Sequence, residues 1–123
     1  MFLSIIIPAY NESAIIEDSL KKIGNFLSEK DFQYEIILVN DGSTDDTFNI
    51  VTLLSSKNSK IRVINISHKG KGAAVKKGIL ESKAKWNFLC DADLSMSIDQ
   101  LDKFLTLINQ DPSVDIIISN RSD

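Results

Sequence analysis

The sequence predicts an α/β fold, a doubly wound and mostly parallel sheet with helices on both faces. Three observations lead there. Short apolar runs alternate with longer segments of helical periodicity, the pattern of right-handed βαβ units. The first, second and fifth runs are near-continuous Ile, Val and Leu, which marks strands buried on both faces. Polar, acidic turns follow the first, second and fourth runs, where an open parallel sheet places its ligand-binding rim.

The elements follow in order. The first strand is Leu3–Ile7, and Pro8 behind it removes a backbone donor and helps stop the ladder. The first helix is expected over Ser13–Ser28, with Ile15, Ile16, Leu20, Ile23, Phe26 and Leu27 at helical spacing. The second strand is Tyr34–Val39. The second helix starts near Thr44, with Asp45 and Asp46 in the favoured acidic first turn and Phe48, Val51, Leu53 and Leu54 as its apolar stripe. The third strand is Ile61–Ile66. The third helix, Ala73–Ser82, follows Gly70-Lys71-Gly72. The fourth strand is Trp86–Cys90. The fourth helix, Ile98–Asn109, turns Leu101, Phe104, Leu105 and Ile108 inward, and the fifth strand is Val114–Ser119.

Composition narrows the function. A chain of 123 residues is one domain by length and buries about two thirds of its unfolded surface. A net charge of −3 gives no basic footprint, so nucleic acid is not an expected partner. The single Cys90 excludes an internal disulfide framework and fits a reducing cytosol, so the expected location is cytoplasmic. No apolar run approaches the roughly 20 residues needed to cross a bilayer. Met1-Phe2-Leu3-Ser4-Ile5 lacks a basic leader and reads as the first strand.

The chemistry concentrates in the turns. Asp91-Ala92-Asp93 follows the fourth strand, and in extended chain two residues so spaced point to one side. Paired carboxylates suit Mg²⁺ or Mn²⁺, hard cations that hold diphosphates. A solvated acidic turn would look similar, but here two further polar turns end the neighbouring strands. Gly70-Lys71-Gly72 meets neither the Walker nor the dinucleotide spacing. Its glycines permit close backbone approach before a helix N-terminus that favours anions, and Lys69 and Lys71 carry charge that suits a nucleotide or phosphate. His68, the only histidine, excludes a His-based metal cluster and reads as loop surface, and Cys90 reads as a small buried residue without chemistry.

Four blocks carry a resemblance. Ser4-Ile5-Ile6-Ile7-Pro8-Ala9-Tyr10-Asn11-Glu12, Val39-Asn40-Asp41-Gly42-Ser43-Thr44-Asp45, Lys69-Gly70-Lys71-Gly72-Ala73-Ala74 and Asp91-Ala92-Asp93-Leu94-Ser95 occur in that order. Together they resemble nucleotide-diphospho-sugar glycosyltransferases of GT-A fold. Within these they are most similar to the dolichyl- or polyprenyl-phosphate sugar synthases, especially the dolichyl-phosphate β-glucosyltransferase branch. The resemblance implies that Asp93 ligates the metal under the donor diphosphate, with Asp91 helping to hold the metal or binding ribose. It implies that Asp41 accepts a hydrogen bond from the base ring N–H, as suits uracil or guanine. Pro8, Ala9, Tyr10 and Glu12 would wall the nucleoside pocket, and Lys71 would meet nucleotide charge. Arg121 aligns with an arginine that could contact phosphate. The blander roles are helix capping for Asp41 and Asp45, core packing for Tyr10 and turn chemistry for Asn11.

The implied reaction is a metal-dependent, inverting transfer of sugar, UDP-glucose favoured, to dolichyl or polyprenyl phosphate. Residues 1–123 are then expected to be the donor-binding part of a longer enzyme, truncated at the C-terminus. Any membrane contact, peripheral at the cytoplasmic face, would come from the region beyond. The main rival is a nucleotide-sugar-binding module without transfer activity. A receiver domain lacks its phospho-accepting Asp after Ile61–Ile66, and a dinucleotide oxidoreductase lacks its glycine-rich turn after Leu3–Ile7.

Overall fold

The computed structural model describes residues 1–93 and 98–110. The expected strand Val114–Ser119, Arg121 and the Leu94-Ser95 pair lie outside the described residues. Four parallel strands form one sheet in the order β3-β2-β1-β4. They are β1 (Leu3–Ala9), β2 (Tyr34–Asp41), β3 (Ile61–Ile66) and β4 (Trp86–Leu89). Between and after them run α1 (Ile16–Ser28), α2 (Thr47–Lys57), α3 (Lys71–Glu81) and α4 (Ile98–Gln110).

Alternation along the strands splits the core into two layers. Leu3, Ile5 and Ile7 of β1, Ile36 and Leu38 of β2 and Phe88 of β4 face one side. There they pack with Ile16, Leu20, Ile23 and Leu27 of α1, Val51 of α2 and Leu101, Phe104 and Ile108 of α4. Ile6, Ile37 and Val39 face the other side, under Ala74 of α3. Helices thus cover both faces, as the apolar runs require.

The two central strands extend further than expected toward the rim, while β4 ends one residue short, at Leu89. β1 continues through Pro8 to Ala9, pairing Pro8 with Val39 and Ala9 with Asn40. The Ile6 carbonyl accepts the Cys90 N–H, so even-numbered residues of β1 face β4. The β4 ladder ends at Ile6–Leu89, so the donor that Pro8 lacks has no ladder partner to lose. β2 runs on to Asp41, opposite Ile66 of β3. The first two helices start later than their sequence signals. Ser13 donates its N–H to Asp45, and the Ile15 and Ile16 N–H groups both bond Glu12 O, so the first turn of α1 becomes a linking loop. In α2, Asp45 takes the Thr47 N–H and delays the helix to Thr47.

α3 lies unusually close to the sheet. A Cβ at Gly78 would stand 2.5 Å from Ile6 Cγ2 and 3.3 Å from Val39 Cγ2. Only glycine fits, despite its poor helix propensity. Gly78→Ala is therefore expected to destabilise the domain by up to about 2 kcal/mol, because overpacking costs about 1–3 kcal/mol against a propensity gain of about 1 kcal/mol. Urea unfolding measures this; a higher midpoint in the variant would show that α3 can retreat freely.

Candidate functional site

The loops after all four strands converge on one cavity of about 390 Å³ at the carboxyl end of the sheet. It is lined by Pro8, Ala9, Tyr10, Glu12, Asp41, Lys71, Asp91 and Asp93, whereas Lys69 is not among its lining residues. His68, Gly70 and Ala92 complete the wall.

Asp41 anchors the loop after β3. It ends β2, is 2% exposed, and does not cap α2. Its Oδ1 accepts the Lys69 N–H at 2.8 Å, and its Oδ2 accepts the Gly70 N–H at 2.9 Å and His68 Nδ1 at 2.9 Å. Burial raises the carboxyl pKa, but these hydrogen bonds and the His68 ring outweigh it, and the net shift is downward. An ionised carboxylate has about four acceptor positions, so about one remains for a ligand. The neighbouring Gly42 has φ +65°, and a Cβ there would meet the His68 nitrogen at 2.6 Å.

His68 is an exposed loop residue, as read from the sequence, and it also lines the cavity. Its ring stacks on Tyr10, with centroids 4.1 Å apart and planes 24° apart. The signal was available: His68 follows Ile66 by two residues, at the same rim as the three acidic turns. Tyr10 is 43% exposed and lines the cavity, so it is not a core residue.

A second stitch joins the loops after β1 and β2. Asn11, in the left-handed region at φ 55°, accepts from the Thr44 N–H at 2.8 Å through Oδ1, and its own N–H donates to Ser43 Oγ at 3.0 Å. Asparagine tolerates that backbone better than most residues. The Glu12 N–H donates to Thr47 Oγ1 at 2.9 Å. Asp45 Oδ1 accepts from both the backbone and the hydroxyl of Thr47, while Oδ2 takes the Ser13 N–H. The Thr47 hydrogen bonds are the main cause of its pKa falling to about 2.

The acidic side departs from the extended geometry expected of Asp91-Ala92-Asp93. β4 stops at Leu89, and Ala92 and Asp93 lie in a turn. The Ala92 carbonyl is held from α1 by Ser19 Oγ at 2.6 Å, which buries Ala92 and leaves Asp93 exposed. Asp91 is paired with Lys71 Nζ at 2.5 Å. Burial first, then the charges of Asp93, Asp45 and Asp91, raises the Glu12 pKa. Burial also pushes the Cys90 thiol up to about 12, in line with the inert role read for it.

The sequence profile described as Glycosyl transferase family 2 matches residues 4–122. The chain belongs to this family. A dolichyl-phosphate beta-glucosyltransferase of Dictyostelium discoideum is 43% identical over 101 residues, 76% of this chain and 31% of that protein. The dolichyl-phosphate beta-glucosyltransferase ALG5C of Trichomonas vaginalis is 36% identical over an alignment of 134 residues, 99% of this chain and 39% of the relative. Among solved structures, the mannosyltransferase PcManGT from Pyrobaculum calidifontis, in complex with GDP-Man and Mn²⁺, superposes with a TM-score of 0.70 at 25% identity, over 91% of this chain and 33% of that one. S. aureus TarS 1-349 in complex with UDP-GlcNAc gives 0.67 at 24% identity over 89% and 32%, a likeness of fold. The family 2 chain has the GT-A architecture of these neighbours. It spans 31–39% of the length of the two curated relatives.

The Asp45 stitch gives this family 2 domain a predicted acid response. A depressed carboxyl pKa contributes stability that is present in full above the ordinary value of 3.8 and is lost as pH falls through about 2. The difference in urea midpoint between the native chain and Asp45→Asn is expected to shrink between pH 5 and pH 2. A difference constant over that range would show that Asp45 titrates alike in both states.

Proposed function

We propose that this chain supplies the donor site of a metal-dependent, inverting glycosyltransferase that moves glucose from UDP-glucose to dolichyl or polyprenyl phosphate. The observation that carries the reading is the convergence of Tyr10, Glu12, Asp41, Lys71, Asp91 and Asp93 on one cavity at the carboxyl rim of the sheet. The names of the curated relatives support the lipid-phosphate acceptor, and the nucleotide-sugar complexes of the structural neighbours support the donor class.

The donor set fits a small divalent cation. Among the described residues no three His, Cys, Asp or Glu side chains group to hold an ion. Mg²⁺ characteristically takes one or two carboxylates and completes its shell with phosphate and water, so a pair suffices. Burial first, and then the charges of Asp93, Asp45 and Asp91, raises the Glu12 pKa, and the carboxylates Glu12, Asp91 and Asp93 that line the cavity favour a cation there. Asp93 and Asp91 would hold Mg²⁺ or Mn²⁺, which when bound offsets negative charge on the departing diphosphate.

The remaining residues bind and orient. Tyr10, with Pro8 and Ala9, would wall the nucleoside pocket. Asp41 orders the opposite loop and keeps an acceptor position for the base. Glu12 lies where a ribose hydroxyl can donate to it. Lys71 brings an exposed ammonium to the diphosphate end, beside Asp91. A lipid phosphate needs no general base, because a phosphate monoester is largely dianionic near neutrality, with a second pKa of about 6. On this reading the enzyme works in the cytoplasm, peripheral at a membrane face. Among the described residues no helix is long and apolar enough to cross a membrane.

Asp93→Asn is expected to remove the Mn²⁺-dependent part of UDP binding while leaving the circular dichroism spectrum unchanged. Calorimetric titration of UDP with and without Mn²⁺ measures it, and equal affinities in both proteins would overturn the metal assignment. A second expectation concerns transfer. The cavity gathers donor-side groups, so these 123 residues should bind UDP-glucose yet form no glycolipid from dolichyl phosphate in detergent. Robust glycolipid formation would place the acceptor site within them.

A further inference from the structure

We propose that His68 reads the nucleobase: held by Asp41 through Nδ1 and by the ring of Tyr10, it presents Nε2 to the cavity as an acceptor for a ring N–H. The inference rests on the donor-site reading above and adds a residue to it that the four sequence blocks do not contain.

The hydrogen-bond chemistry places a proton on Nδ1. Asp41 accepts two backbone N–H groups and is an ionised acceptor, so it cannot donate to the ring. The 2.9 Å contact between His68 Nδ1 and Asp41 Oδ2 is then a hydrogen bond only if Nδ1 carries the proton. The Asp41 carbonyl, 3.2 Å from the same nitrogen, favours the same tautomer. In a neutral imidazole the other nitrogen is left with its lone pair outward. Nε2 sits across the ring from Nδ1, on the edge away from Asp41.

The ring is also fixed in place. Tyr10 stacks on one face at 4.1 Å. The His68 backbone sits so close to Gly42 that a Cβ there would overlap its nitrogen, and Asp41 holds the next two N–H groups. Yet the side chain is 55% exposed and lines the cavity. A side chain so constrained at its buried edge and so open at the other is built to meet a ligand.

The acceptor has a chemical consequence. Uracil and guanine carry a ring N–H on their pairing edge, whereas cytosine and adenine carry a ring nitrogen acceptor there. An Nε2 lone pair matches the first pair and repels the second. Asp41 keeps about one acceptor position, so His68 shares the discrimination with it.

His68→Phe tests this, since it keeps a ring against Tyr10 and removes both nitrogens. Affinities for UDP, GDP, CDP and ADP are measured by calorimetry with Mn²⁺ at about pH 8, where histidine is ordinarily neutral. The native chain is expected to bind UDP or GDP at least about tenfold tighter than CDP and ADP, and the variant to lose most of that ratio. An equal weakening toward all four nucleotides, or an unchanged ratio, would overturn the base-reading role. Failure of the native chain to bind any of the four would overturn the donor-site reading itself. Nucleotide binding without base preference would overturn only the role of His68.

Discussion

A single buried carboxylate organises the rim. Asp41 sits at the end of a central strand, shielded from water, and a charge in that place is tolerable only if hydrogen bonds replace its hydration. Three donors do so, and all come from the loop after β3. That loop leads directly into α3, so the same carboxylate fixes where α3 begins and where Lys71 stands. The burial that ought to raise the Asp41 pKa is overcome by the donors it recruits. Structure and electrostatics at this point are one arrangement.

Other constraints act on the same loops from different directions. Gly78 lets α3 settle against Ile6 and Val39, which sets the depth of the helix whose first residue pairs with Asp91. Asn11 and Asp45 lock the loop after β1 to the loop after β2, and Ser19 of α1 pins the Ala92 carbonyl in the acidic turn. Each loop of the cavity is held by a contact from another element. A site so braced can present several polar groups at fixed positions without ordering them anew when a ligand enters.

The charge pattern suits a two-part ligand. One end of the cavity gathers Glu12, Asp91 and Asp93, with Lys71 as the nearby cation. The other offers the Tyr10–His68 ring pair over the Asp41 anchor. A nucleoside diphosphate has a flat, hydrogen-bonding end and an anionic end that travels with a divalent cation. The polarity of the cavity follows that division. Cys90, beside the acidic end, is buried with a strongly raised pKa, which keeps a nucleophile out of the chemistry.

The sequence by itself determined the class of fold and the residues of the cavity. Strand hydrophobicity and the polar turns are local signals, and the rule that ligands bind at the carboxyl ends of parallel strands converts them into a site. Those signals placed the turns of Pro8, Ala9, Tyr10, Glu12, Asp41, Asp91 and Asp93 at the rim, and the family resemblance singled out these residues and Lys71 within them. What required the tertiary structure was everything set by contacts between loops distant in sequence. The late starts of α1 and α2 reflect hydrogen bonds that Asp45 accepts from Ser13, 32 residues earlier, and from Thr47. The turn at Asp91-Ala92-Asp93 replaces an extended pair because Ser19, 73 residues away, holds its carbonyl. His68 became part of the site only because Asp41, 27 residues earlier, draws its ring edge inward and Tyr10 covers its face. Local pattern specifies which residues reach the rim; only the packed chain decides which of them touch.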